Sequence, residues 1–221
     1  MVPYKVIAID GPAAAGKSTI AQMIAKQLGY VYVDTGAMYR AVTLKALNKK
    51  INLEDETQIN NMLQETKIQL TNTQRVLLDD VDVTEAIRQP QISQNVSVVS
   101  AHKSLRDIMK ARQIKYAETN NVVMDGRDIG TYVLPNADFK FFMTASVEVR
   151  ANRRYQENLK RNVKCDLETL KQEIQLRDEL DSTREYAPLI KAEDAIIVDT
   201  SSMTINEVVD KIIKIVKGGV H

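Results

Sequence analysis

Cysteine, histidine and excess charge are all scarce in this 221-residue chain. The single cysteine, Cys165, cannot close an internal disulfide and reads as a reduced spectator. Two histidines, His102 and His221, are too few and too far apart to suggest a zinc site. Lys plus Arg total 30 against 29 Asp plus Glu, a formal net charge of +1, so no global basic field exists to hold a long nucleic acid. Any phosphate recognition has to be local. Long apolar runs are missing too. The first, Val6 to Ile9, stops at Asp10, which resembles no signal peptide, and no stretch approaches the roughly 18 apolar residues of a membrane span. A soluble, cytoplasmic protein that binds neither membrane nor nucleic acid is the expectation. With no internal repeats and no low-complexity tracts, residues 1–221 are expected to form one domain with a single core and an insertion.

What the chain does have is a phosphate loop. Residues Gly11, Pro12, Ala13, Ala14, Ala15, Gly16, Lys17 and Ser18 form a complete G-x-x-x-x-G-K-S motif, followed by Thr19 at the start of a helical pattern. An apolar strand delivers the loop, the glycines let backbone N–H groups close around phosphate oxygens, and the helix points its positive end at them. That chemistry suits a nucleoside triphosphate, with Lys17 reaching the β- and γ-phosphates and the Ser18 hydroxyl ligating Mg²⁺. Five apolar runs, at residues 5–9, 30–33, 122–124, 140–144 and 195–198, read as buried parallel strands. Helical patterns at 18–28, 36–47, 104–118, 147–157, 166–180 and 205–216 separate them, which predicts an α/β fold with a five-stranded parallel sheet wrapped by helices. Ligands of such sheets bind at the carboxyl ends of the strands, where Asp10, Asp34, Asp125 and Thr144 fall. Residues 67–83 break the rhythm, alternating apolar and polar around Asn72-Thr73-Gln74 as a small antiparallel hairpin. They place a smaller lobe, residues 35–105, between the second and third core strands, while residues 217–221 read as frayed.

Phosphate loops serve motors, switches, transporters and kinases alike, and the arginines narrow the choice. Arg40 begins the helix after the second strand, and Arg127 follows the third strand with Asp128 beside it. Arg177, Asp181 and Arg184 share one helical face, and Arg150, Arg153 and Arg154 cluster after the fourth strand. Guanidinium groups at the mouth of one sheet suit a second, phosphorylated substrate, because they bind phosphate in a fixed fork and stay charged. Local pairing, such as Arg153 with Glu157 or Arg177 with Asp181, is the competing explanation. Asp125 closes its strand as a Walker B aspartate does and offers to hold a Mg²⁺-bound water; Asp34 competes for that role and suits a helix cap equally. A phosphate acceptor is already an anionic nucleophile and needs no base, although Asp34, Asp125 or Asp128 would be available as one.

The strings GPAAAGKST, DTGAMYRAV, DGRDIGT and RDELDSTREYAPL, with the Arg106 helix between them, resemble the bacterial cytidylate kinases of the nucleoside monophosphate kinase group in order and spacing. The resemblance runs from Lys5 to about Val216. It implies transfer of the γ-phosphoryl group of ATP to CMP or dCMP, with Mg²⁺ as the only cofactor and a monomeric protein. It implies as well that the 35–105 lobe binds the monophosphate and that 150–165 forms a lid. By matching positions, Thr35 and Arg40 contact the acceptor phosphate and sugar, Ser97, Arg106 and Asp128 read the cytosine, Arg127 and Arg184 hold the acceptor phosphate, and Arg177 with Asp181 holds the pentose. Thr35 stands where many relatives have serine, and either offers a hydroxyl. Lid roles fall to Arg150, Arg153, Arg154 and Lys160, with Arg150 and Arg154 counted among the ATP ligands.

Overall fold

The computed structural model describes residues 4–71 and 73–218. Asn72 of the expected hairpin turn, and residues 219–221 with His221 and the end of the expected frayed tail, lie outside the described residues. In chain order the first elements are β1 (Val6–Asp10), α1 (Lys17–Leu28), β2 (Val31–Asp34), α2 (Thr35–Asn48) and α3 (Glu56–Gln64). There follow β3 (Ile68–Leu70), β4 (Val76–Leu78), β5 (Val81–Asp82), a 3₁₀ turn at Ala86–Arg88, α4 (Pro90–Ala101) and α5 (Lys103–Thr119). The last part comprises β6 (Val122–Gly126), a π turn at Ile129–Val133, β7 (Phe139–Thr144), α6 (Val147–Lys160), α7 (Leu167–Thr183), β8 (Ile196–Asp199) and α8 (Ile205–Gly218).

Five strands form one sheet in the order β2-β6-β1-β7-β8, as the five apolar runs predict. Pairing is parallel, with Ile7 opposite Val123 and Phe139, and Phe141 opposite Ile196. Parallel strands need crossover helices, and helices on the sheet faces explain why β1 is apolar at consecutive positions rather than alternating. Ile7 and Ile9 pack with Ile20 and Ile24 of α1 and with Val208, Val209 and Ile212 of α8. A capping box starts α8: Thr204 N–H and hydroxyl donate to Glu207 Oε2, and Glu207 N–H donates to Thr204 Oγ1.

The chain separates into two compact units, one made of residues up to Tyr32 together with those from Asn120 on, the other of Val33–Thr119. In the second unit β3 and β4 pair antiparallel, Ile68 opposite Leu78 and Leu70 opposite Val76. A third strand, β5, which the alternating pattern does not reveal, turns back through Asp79 and Asp80 at φ 51 and 66. Two successive left-handed residues are the geometry of a type I′ hairpin turn. The helices α3 and α4 are likewise additions to the expected set. Their signals are local: the Asp55 side chain accepts from Gln58 N–H as an N-cap, and Pro90 opens α4 at its first turn. A buried cluster of Met38, Val42, Ile59, Leu63, Val99 and Leu105 forms this unit's core.

Candidate active site

The phosphate loop occupies the link between β1 and α1. Gly11 sits at φ +147, and a Cβ there would come within 2.0 Å of the Met143 carbonyl oxygen on β7, so only glycine fits. Gly16, at φ 87, caps α1 in the left-handed region. Lys17 is only 5% exposed, and its Nζ donates to the Pro12 carbonyl of its own loop at 2.7 Å. Burial, reinforced by the charge of Arg127, holds the Lys17 ammonium well below the ordinary lysine range, against the opposing pull of Asp125. Beside it the Ser18 hydroxyl donates to Asp125 Oδ2 at 2.9 Å, and the Tyr32 hydroxyl donates to Asp125 Oδ1 at 2.7 Å. Of the two carboxylates weighed from the sequence, Asp125 is therefore the one bonded to Ser18. Asp34 accepts from Ala37 N–H at 2.8 Å and caps α2.

Asp10, at the end of β1, performs a task the sequence does not announce. Its two carboxylate oxygens accept from Ile129 N–H at 2.9 Å and Gly130 N–H at 2.8 Å, fixing the segment that follows Arg127 and Asp128. That segment is a π turn, closed by Val133 N–H donating to Asp128 O and Leu134 N–H donating to Ile129 O. Burial pushes the Asp10 carboxyl up to about 6 in spite of these two bonds.

Asp181 gathers three arginines. Arg127 Nε donates to Asp181 Oδ2 at 2.9 Å, Arg184 lies 3.8 Å from Oδ1 and Arg177 lies 3.9 Å from Oδ2. Burial raises the Asp181 carboxyl, but the guanidiniums of Arg127, Arg177 and Arg184 outweigh it and hold the group below the usual carboxylate range. Because α7 ends at Thr183, Arg184 stands just past the helix, its Nε donating to Ala187 O at 2.8 Å and its terminal nitrogen 3.9 Å from Asp128 Oδ1. The strap beyond is tied down twice. Leu189 N–H donates to Asp181 O at 2.8 Å, and the Tyr186 and Tyr132 hydroxyls lie 2.8 Å apart with their rings edge to face.

The α6 arginines face different ways. Arg150 is buried, bonded to Ala145 O and Ala13 O and paired with Asp178. Arg153 donates to Thr200 O at 2.6 Å, to Thr200 Oγ1 at 3.0 Å and to Ala15 O at 3.4 Å. The local pairing of Arg153 with Glu157, the competing explanation for these arginines, gives way to one of Arg154 with Glu157 at 3.7 Å, because Arg153 turns inward to loop carbonyls. Lys160 is the last residue of α6, and Cys165 is a free thiol.

Thr35, Arg40, Ser97 and Arg106 belong to the second unit. Arg40 lies near Gly36 on the first turns of α2. Arg106 is 1% exposed; it donates to Ser100 O at 2.9 Å and its guanidinium carbon lies 5.3 Å from the centre of the Tyr39 ring. Ser97, one turn before Ser100 on α4, is buried, and its carbonyl accepts from the Ser100 hydroxyl. His102 bonds the Leu53 carbonyl, and no group of three or more metal-type side chains occurs among the described residues.

A parallel sheet whose first strand delivers a G-x-x-x-x-G-K-S loop, with a serine–aspartate pair behind the loop and an arginine hub off the third core strand, defines a P-loop kinase. The sequence comparisons narrow the class. Residues 7–218 match the family described as cytidylate kinase. The cytidylate kinase of Geobacillus sp. (strain WCH70) is 56% identical over 213 residues, covering 95% of both chains. Those of Bacillus cereus (strain ATCC 10987 / NRS 248) and Bacillus subtilis (strain 168) are 54% and 53% identical, covering 96% of each chain. The chain belongs to the cytidylate kinase family, and it is a phosphotransferase.

Proposed function

We propose that this chain transfers the γ-phosphoryl group of ATP to CMP or dCMP, giving ADP and CDP or dCDP, as a cytoplasmic monomer that supplies pyrimidine nucleotides. The observation that supports the reading is two separate clusters of cationic side chains in one compact unit, each chemically suited to a phosphate: the loop around Lys17 and the arginines around Asp181. A switch or motor needs the first and has no use for the second. Residues 11–19, with Arg150 and Arg154 of the 150–165 lid, serve ATP. Among the described residues Arg154 is held by a surface pair with Glu157, which is cheap to exchange for phosphate.

The acceptor's own phosphate oxygen is the nucleophile, so the protein's task is to hold two anions in line and neutralise charge on the moving group. Lys17 meets the β- and γ-phosphates, while Arg127 and Arg184 hold the acceptor. The family resemblance assigns sugar and phosphate contacts to Arg177, Asp181, Thr35 and Arg40 as well. Ser18 and Asp125 present hard oxygen ligands side by side, a donor set that fits Mg²⁺, which usually keeps waters and takes one or two carboxylates plus substrate phosphates. When bound there, Mg²⁺ would supply charge neutralisation on the phosphates.

Base choice falls to Arg106, Ser97 and Asp128. Cytosine presents an N4 amino donor beside an N3 acceptor, whereas uracil presents the opposite polarity on both atoms, and a carboxylate suits only the first. Desolvated hydrogen-bonding groups reject the wrong edge by factors on the order of 10⁴. The test is a coupled ADP assay with ATP and Mg²⁺ against every ribo- and deoxyribonucleoside monophosphate. CMP and dCMP should be good acceptors and UMP a poor one; equal use of UMP and CMP, or ADP formation without a phosphorylated product, contradicts the reading.

A further inference from the structure

Both backbone polar groups of Ala13 are bonded by side chains from outside the phosphate loop. Its N–H donates to Asp178 Oδ1 at 3.2 Å, and its carbonyl accepts from an Arg150 terminal nitrogen at 3.1 Å. That same nitrogen lies 2.5 Å from Asp178 Oδ2, so a charge pair from α6 and α7 closes around one loop residue. The guanidinium is anchored at its other edge, where Nε donates to the Ala145 carbonyl at 2.9 Å just beyond β7. The peptide joining Pro12 to Ala13 is consequently gripped on both sides. Its carbonyl takes the Lys17 ammonium at 2.7 Å, and its N–H gives to Asp178.

Asp178 is the one acceptor in this set that answers both the arginine and the loop. Without its charge Arg150 would have only carbonyls to bind, and the Ala13 N–H would lose a charge-assisted bond. We infer that Asp178 is a positioning residue for the phosphoryl donor, coupling α7 to the phosphate loop through Arg150 and through the peptide on which Lys17 rests. The inference depends on the loop being the ATP site, as proposed above. It differs from a role in folding alone, because loss of the charge should disturb ATP and leave the acceptor untouched.

The experiment compares wild type with Asp178→Asn, Arg150→Met and the double variant, varying ATP at saturating CMP and CMP at saturating ATP, with titration of a fluorescent ATP analogue and thermal denaturation alongside. Asp178→Asn should raise the KM for ATP and the analogue's Kd by about tenfold while the KM for CMP stays within about twofold. The double variant should bind ATP no worse than Arg150→Met alone, since the two act as one unit. Unchanged ATP affinity, equal rises in both KM values, or additive losses would overturn the inference. Should Asp178→Asn fail to fold, Asp178→Glu keeps the charge on a longer arm; it should weaken ATP binding, and wild-type affinity for ATP in that variant overturns the inference too. A wild type that binds no ATP analogue contradicts the reading of the loop itself and removes the inference with it.

Discussion

At the phosphate loop, buried charges meet the backbone: Lys17 donates to the Pro12 carbonyl, and Asp10 accepts from the Ile129 and Gly130 N–H groups. At Asp181, side-chain charges meet one another, with Arg127, Arg177 and Arg184 converging on a single buried carboxylate. The two arrangements displace ionisation in opposite senses. Backbone dipoles do not repay the full cost of taking a charge out of water, so the Asp10 carboxyl rises to about 6 and the Lys17 ammonium falls. Three guanidiniums do repay it, and the Asp181 carboxyl falls. In consequence the loop has a lysine short of countercharge, which a polyphosphate would provide, whereas the hub is a standing ionic cluster whose arginines are already oriented.

The sharpest way to break this contrast is at Lys17. Lys17→Ala should remain folded, since one buried and poorly compensated charge is lost, but phosphoryl transfer should fall by at least about a hundredfold. Circular dichroism and turnover on the same sample decide it, and near-normal turnover in a folded variant would end the assignment of the loop.

A second break is at the hub carboxylate. Asp181→Asn leaves one buried and two mostly buried guanidiniums facing a neutral amide and should cost about 3–5 kcal/mol of stability near neutral pH. Because the folded-state carboxyl lies below its ordinary value of 3.8, the wild-type advantage should be full above that pH and vanish as the pH falls further. Asp10 gives the smaller and opposite signal. Asp10→Asn turns an NH₂ toward a backbone N–H and should cost about 1–3 kcal/mol. Between 3.8 and about 6 the native carboxyl keeps a proton that the unfolded chain has released, so Asp10 contributes less stability as the pH rises through that window. Urea unfolding of both variants and wild type at about pH 3, 5 and 7 separates the two trends.

The two regions also differ in how far the sequence exposes them. The loop is legible to the residue, because Gly11, Gly16, Lys17 and Ser18 lie on one short stretch and take their roles from local backbone geometry. The sheet is legible for a related reason: strands covered on both faces are written as continuous apolar runs. The hub shows only its members. Arg127 and Asp181 are 54 residues apart, and no local pattern says that they meet, or that Arg150 meets Asp178 across 28 residues. Asp10, Tyr32, Asp178 and Thr200 were invisible as wiring, since each acts through a partner on another element. The two-residue strand β5 and the nine-residue α3 escape because their patterns are short, whereas α4, as long as α1, escapes although Pro90 marks its start as the Asp55 cap marks that of α3.

The account divides the work, giving the donor to the loop and the acceptor to the arginine hub, and Arg184→Met tests that division most directly. The side chain is buried and bonded to Ala187 O, so some loss of stability is expected, and it is measured by thermal denaturation. The decisive comparison is ATP-analogue affinity against kcat/KM for CMP in the folded variant. The account predicts ATP affinity within about twofold of wild type and a loss of at least about a hundredfold in kcat/KM for CMP. A variant that loses ATP affinity while keeping its efficiency toward CMP would contradict it.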